Sequence, residues 1–510
     1  MEKLRRPVRA AVLLILLAAC LWIAWQVPYT HDDWDWGVAK GLRWWFSGEV
    51  NNRYCGSLFV IVMTRSQIIK TLVMGGTMLA LPLLAAVIVS PRGSTNWFPL
   101  TILGCGVLMT MPMESWRQTY GWVSSFSNFV VGGLFLLVLI LLVQRTVRTD
   151  SGAGGGVLAG LFLITLATQL FSENLTAVLA AAAVLFALQA WRTGRNRPLA
   201  LTLLAGAMLG LILMFYNPLY SELATTGSAV NGVRQLAFLP GDGLISILSA
   251  VSRRFFETVL SELFIFYPAV WVLVCAGAVW RAFRAGRSWL LILPPSLFSA
   301  VLLYWCWLKA NYIHRGLAWD YPIPVLQFLG PPVVCVLVTL VLLTDPDRPL
   351  RLPRLSLLAG ALALTGPFAI LLVQGARCGF LSALLLVLLG MSLLYDFPWN
   401  TLTTALACLL LAAALVFHIR VYRVIAGCSA LREQLIQEAV SQGSPRVILP
   451  TEDWKYFYFW ERNPASAMRV PSYRTFYRLP EGLELVFLPP GSYDVWPDIP
   501  QWMLDSGTVY

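Results

Sequence analysis

Charge is what this sequence has least of. Only 12% of its 510 residues are Asp, Glu, Lys or Arg, against 58% apolar residues, and the mean hydropathy is +0.70. A soluble globular protein carries about 25% charged residues. Half that fraction leaves too few polar side chains to cover a water-facing surface, which excludes a soluble enzyme, a disordered chain and a small secreted disulfide scaffold. Metal-binding and redox patterns are missing as well. The nine cysteines include no CxxC pair and no histidine cluster stands beside them, so neither a zinc site nor a disulfide framework is indicated. Cys20, Cys105, Cys275, Cys306, Cys335 and Cys408 fall inside apolar runs, where they act as small buried hydrophobes.

What is present is a series of apolar runs, each near the ~20 residues that carry a helix across the hydrocarbon core. Thirteen are discernible, at 10–27, 71–90, 98–113, 128–144, 156–171, 176–191, 199–216, 263–280, 288–307, 325–344, 355–374, 380–395 and 401–418. Basic residues cluster in every second connection: Lys3, Arg5, Arg6 and Arg9; Arg92; Arg145 and Arg148; Arg192, Arg195 and Arg197; Arg281, Arg284 and Arg287; Arg348, Arg351 and Arg354. Short basic loops stay cytoplasmic. The net charge of +11 is therefore mostly topology, and it gives no support to nucleic-acid binding. The N-terminus is expected in the cytosol, with the C-terminus and segments 28–70, 217–262 and 308–324 outside. Leu17-Ala18-Ala19-Cys20 fits a lipoprotein cleavage box, but the apolar run continues past it, so an uncleaved anchor helix is expected.

The expected fold is thus a mainly α polytopic membrane module over 1–418 with a small extracytoplasmic α/β domain over 419–510. In that tail, 419–440 is amphipathic and helix-like, and Arg446–Pro450 and Leu483–Leu488 read as strands. It carries no phosphate loop or nucleophile elbow.

Where charge is this scarce, acidic residues at the membrane surface are functional candidates. The densest group follows the first run: His31-Asp32-Asp33-Trp34-Asp35. Adjacent Asp32 and Asp33 point in different directions in most backbones, so one can face a substrate while the other orients a neighbour or binds a cation. Like charges this close also raise one pKa, which suits a general base. Segments 38–47 and 56–70 then look like helices lying in the interface, with Arg53 between them.

An outer acidic pair followed by two interfacial helices resembles the start of bacterial GT-C glycosyltransferases. These are polytopic enzymes that take a sugar from a polyprenyl-phosphate donor on the outer face of the membrane. The resemblance implies transfer, with inversion, to a cell-envelope glycan or lipid hydroxyl. Asp32 would be the base and Asp33 its exchangeable candidate. Arg53, Arg315 and Arg377 would hold the lipid phosphate, with Lys309 a weaker choice. His31, Asp35, Glu114, Glu173 and His314 complete the expected binding set. Metal use stays open, either none or a divalent cation held by the acidic residues.

Two rivals remain. A lipid-linked glycan transporter or flippase would place ionisable residues at mid-span and show an internal repeat, whereas the run centres hold almost no charge and no repeat is evident. An O-antigen-type polymerase or ligase would carry arginines in a large outer loop, and 217–262 holds Arg234, Arg253 and Arg254.

Overall fold

The computed structural model describes residues 2–148, 154–229, 234–286, 295–298, 324–372, 375–464 and 467–510. Among them, eight helices are long and apolar enough to cross a membrane. Leu244–Phe266 and Pro268–Arg284, bent by 88° at their junction, form a ninth if they act together. The chain is a helical membrane protein. Shorter apolar helices at Trp97–Met109, Gly155–Gln169 and Gly330–Leu343 fall on three more of the expected runs. At 1.5 Å per residue, the 13 residues of the first cover only about 20 Å. The run at 288–307 lies mostly outside the described residues.

Phe380–Leu393 is the axis of the bundle. Apolar on every side, it is buried at all 14 of its positions, as a helix without a polar face must be. Pro268–Arg284 and Arg348–Thr365 pack along it. The first helix, Glu2–Gln26, passes through Cys20 without a break and packs against Gln67–Val89. Gly75 allows that approach, since a Cβ there would sit 2.8 Å from the Leu21 backbone.

Several arginines ascribed to topology have a second role. Arg281 and Arg354 are buried and share Asp345, which has no exposed side-chain surface. Arg281 also pairs with Asp396 at 2.7 Å and lies 3.5 Å from Asp347, while Arg284 closes on Asp396. Arg354 donates to the Ser392 carbonyl at 2.7 Å. This network ties together the ends of four helices.

The tail departs from expectation at its start. No break separates 401–418 from 419–440: Thr401–Ser441 is one helix of 41 residues, about 60 Å long. The two expected strands are present at Arg446–Thr451 and Glu484–Pro490, paired in parallel, and Thr508–Val509 adds an antiparallel edge to the second. Their core contains Val447, Leu449, Leu485, Phe487 and Tyr473, together with Trp34 from the acidic segment. Trp34 meets the Tyr473 ring edge-on at 5.0 Å. The C-terminal region and the first loop therefore share one core.

Removing one partner of a buried pair strands the other charge. Asp345→Ala is expected to destabilise the protein by about 3 kcal/mol, read as a lowered thermal-unfolding midpoint in detergent. Asp396→Ala, at the more exposed edge of the network, should lower it less; the reverse order would show that Asp345 is not the hub.

Candidate active site

The acidic segment is a tight turn running into a five-residue helix, Asp33–Gly37. His31 reverses the chain with φ 52, in the left-handed region where histidine is enriched among non-glycine residues. Its N–H donates to the Glu461 carbonyl at 3.0 Å. The turn then distributes its carboxylates to different surroundings.

Asp33 points inward and is fully buried. Its Oδ1 accepts from the Ser124 N–H at 2.8 Å and from the Ser124 hydroxyl, and its Oδ2 accepts from the Thr30 N–H at 3.0 Å. Burial first, then the charge of Asp32, pushes this carboxyl up to about 7 against those donors. Asp35 is also buried; it accepts from Lys40 at 2.8 Å and from the Ser472 hydroxyl, and Arg469 lies 3.8 Å away. It fastens the turn to the helix Val470–Tyr477 of the C-terminal region.

Asp32 alone of the three remains partly open, with 30% of its side chain exposed. Its Oδ1 accepts from the Trp122 indole N–H at 2.9 Å, and His31 Nδ1 lies 3.7 Å away. Burial raises its pKa, but the His31 imidazole, Arg469 and Ser124 outweigh that and hold it below the ordinary carboxylate value. The pair is thus split, one carboxyl poised near neutrality and the other an open carboxylate.

Aromatic rings extend the site. Trp122 stacks on Trp460, centroids 5.3 Å apart and planes within 8°. The Arg377 guanidinium lies 4.7 Å over Trp122 and that of Arg117 lies 4.8 Å over Trp460. Trp460 belongs to a strap from the C-terminal region. The strap is held by its N–H to the Gly121 carbonyl at 3.3 Å, by Arg462 paired with buried Glu452, and by Arg432 to Asn463 at 2.9 Å. A side chain at position 121 would put its Cβ 2.1 Å from the Tyr458 carbonyl oxygen, so glycine is what lets the strap close. A cavity of about 390 Å³ opens beside it, with Arg117, Trp454, Trp460, Glu461 and Asn463 in its lining.

Of the expected site residues, the structure brings His31, Asp32 and Arg377 together, with Asp33 and Asp35 supporting them. Arg53 and Glu173 meet each other instead: Arg53 Nη2 lies 2.6 Å from Glu173, which also takes Arg234 at 3.3 Å and the Tyr220 hydroxyl at 2.8 Å. Arg53 still lies within electrostatic reach of Arg377. Glu114 pairs with Arg117 at 2.6 Å. Lys309, His314 and Arg315 lie outside the described residues. The loop arginines of 217–262 are engaged: Arg253 pairs with Glu257 at 2.9 Å and Arg254 donates to the Leu372 carbonyl at 2.7 Å. Among the described residues, no three carboxylates, imidazoles or thiols converge on one point. Trp460, Glu461 and Arg469 were not foreseen. The only trace of them in the sequence is the run of charge inside the aromatic stretch of the tail.

Asp33 supplies a pH signature. Its folded pKa of about 7 lies above the ~3.9 of an unfolded aspartate. The stability it contributes is therefore complete below about pH 4 and lost as pH rises toward 7. Thermal midpoints should fall across that window, and Asp33→Asn should flatten the decline; parallel profiles would reject this role. No protein-family model, no curated protein and no solved structure matches the chain, so the chemistry of the site rests on its own residues.

Proposed function

We propose that this chain is a membrane glycosyltransferase that moves a sugar from a polyprenyl-phosphate donor to a cell-envelope hydroxyl. One observation carries the reading. An open carboxylate, Asp32, and a guanidinium with no carboxylate partner among the described residues, Arg377, sit against the same indole without neutralising each other. Sugar transfer from a lipid phosphate needs that pair of charges: one to take a proton, the other to meet the leaving group.

In this reaction an acceptor hydroxyl attacks the anomeric carbon from the face opposite the phosphate. The new C–O bond forms as the bond to phosphate oxygen breaks, which inverts the centre. The hydroxyl proton goes to Asp32, and the phosphate departs with its added charge beside Arg377. The transition state resembles an oxocarbenium ion, as in glycoside hydrolysis, so a carboxylate beside it also stabilises developing positive charge. Asp33 anchors the turn and limits the charge of the pair when it holds its proton. The cavity beside the strap, lined by Trp454, Trp460, Arg117 and Glu461, suits a sugar-bearing acceptor. The reading includes thirteen crossings, with the acidic site and the C-terminal region on the outer side, in keeping with the distribution of basic loops.

Purified Asp32→Asn should keep the wild-type thermal midpoint and lower transfer from a polyprenyl-phosphate sugar by 10³-fold or more, about 4 kcal/mol of transition-state stabilisation. Full activity in that variant would remove the assignment. Arg377→Ala should weaken donor-lipid binding about tenfold or more, in keeping with loss of a charge-assisted contact. Unchanged donor affinity would exclude Arg377 from the phosphate site.

A further inference from the structure

The end of the bundle remote from the acidic turn holds a second charged cavity. Arg9 and Gln26 are 17 residues apart on one helix, so the two ends are separated by about 25 Å. Here Arg6, Arg9, Arg92, Arg145 and Arg148 line a cavity of about 940 Å³. These residues come from the start of the first helix, the turn after Gln67–Val89 and the end of the helix that closes at Arg148. The volume lies within the roughly 300–1,000 Å³ of ligand sites.

Position-marking alone requires only that basic residues lie on one side. It does not require arginines from three separate segments to converge on one concavity. Four of the five, Arg6, Arg92, Arg145 and Arg148, are exposed. Arg9, Arg92 and Arg148 have no carboxylate partner among the described residues. Arg281, Arg284 and Arg354, by contrast, are satisfied by aspartates. The cavity has an apolar wall, with Leu13 and Leu141 each about two turns inside helices long enough to cross a membrane. Lining arginines above and leucines below match a molecule with an anionic head and an acyl tail.

We propose that this cleft binds the phosphate headgroup of an anionic phospholipid, with the first part of its acyl chains against the leucine wall. Guanidinium groups grip phosphate oxygens in pairs, which lysine does not, and basic pockets between membrane helices are where such headgroups are held. The site is independent of the sugar-transfer reading, because it uses none of the residues near Asp32.

The test uses the full chain in phosphatidylcholine nanodiscs, titrated with fluorescent phosphatidylglycerol. Binding should saturate. Combined Arg6→Gln, Arg9→Gln and Arg148→Gln should weaken it at least tenfold, whereas Arg192→Gln, Arg195→Gln and Arg197→Gln together should change it less than threefold. Equal weakening in the two triple variants would overturn the proposal in favour of general surface charge. Displacement of the lipid by millimolar inorganic phosphate would overturn it in favour of a soluble anion. Because loss of positive charge can also invert a membrane protein, the Arg6→Lys, Arg9→Lys, Arg148→Lys variant keeps the charge. It should bind at least threefold more weakly than wild type, and wild-type binding would refute arginine-specific recognition.

Discussion

The arrangement around the acidic turn depends on the carboxylate of Asp33. Three donors from two segments meet on it in the protein interior, two from Ser124 and one from Thr30. A carboxylate out of water is unfavourable unless such donors compensate it. Once Asp33 is fixed inward, helical geometry sends its neighbours elsewhere. Trp34 enters the core of the C-terminal sheet, Asp35 reaches Ser472 and Lys40, and Asp32 is left at the opening beside Trp122. Four consecutive side chains thereby join the membrane bundle, the first loop and the C-terminal region. Only one of them stays available for chemistry.

That division explains what could be read in advance. Apolar runs announce helices because a 20-residue hydrophobic stretch has few other solutions, and helices indeed occupy the runs that fall within the described residues. The two tail strands were visible as short β-branched and aromatic runs. The acidic turn stood out because charge is rare. What the pattern could not carry is pairing across long sequence distances. Arg281 and Arg354 look like loop arginines until Asp345 is placed between them. Trp460 and Glu461 come to Asp32 only through the strap, and nothing in their spacing announces Gly121 as the residue that admits it. The boundary expected at 418 failed because an apolar segment and an amphipathic one can continue as one helix when the second has a sheet to pack against.

Among the charged groups near the turn, pairing separates support from function. Glu173 is satisfied three times over, and Glu114 has Arg117. Such closed pairs have little left to offer a substrate, and they set the shape of the wall. Asp32 and Arg377 differ. At low dielectric, opposite charges in direct contact attract strongly, and a salt bridge between them would close the site on itself. The Trp122 indole prevents this by occupying both: its N–H satisfies one carboxylate oxygen and its face carries the guanidinium. The cation loses part of its hydration but does not use up its donors on the ring, since a cation–π contact engages the plane of the group and not its N–H bonds. Asp32 likewise keeps part of its side chain open, 30% exposed beside the indole. In the proposed reaction, the work of keeping the two charges apart is done by the fold beforehand, and the attacking hydroxyl and departing phosphate meet groups already oriented for them. A turn that buries one aspartate, and a strap that stacks one tryptophan on another, are the physical means by which a chain so poor in charge keeps two of its charges unspent at one place.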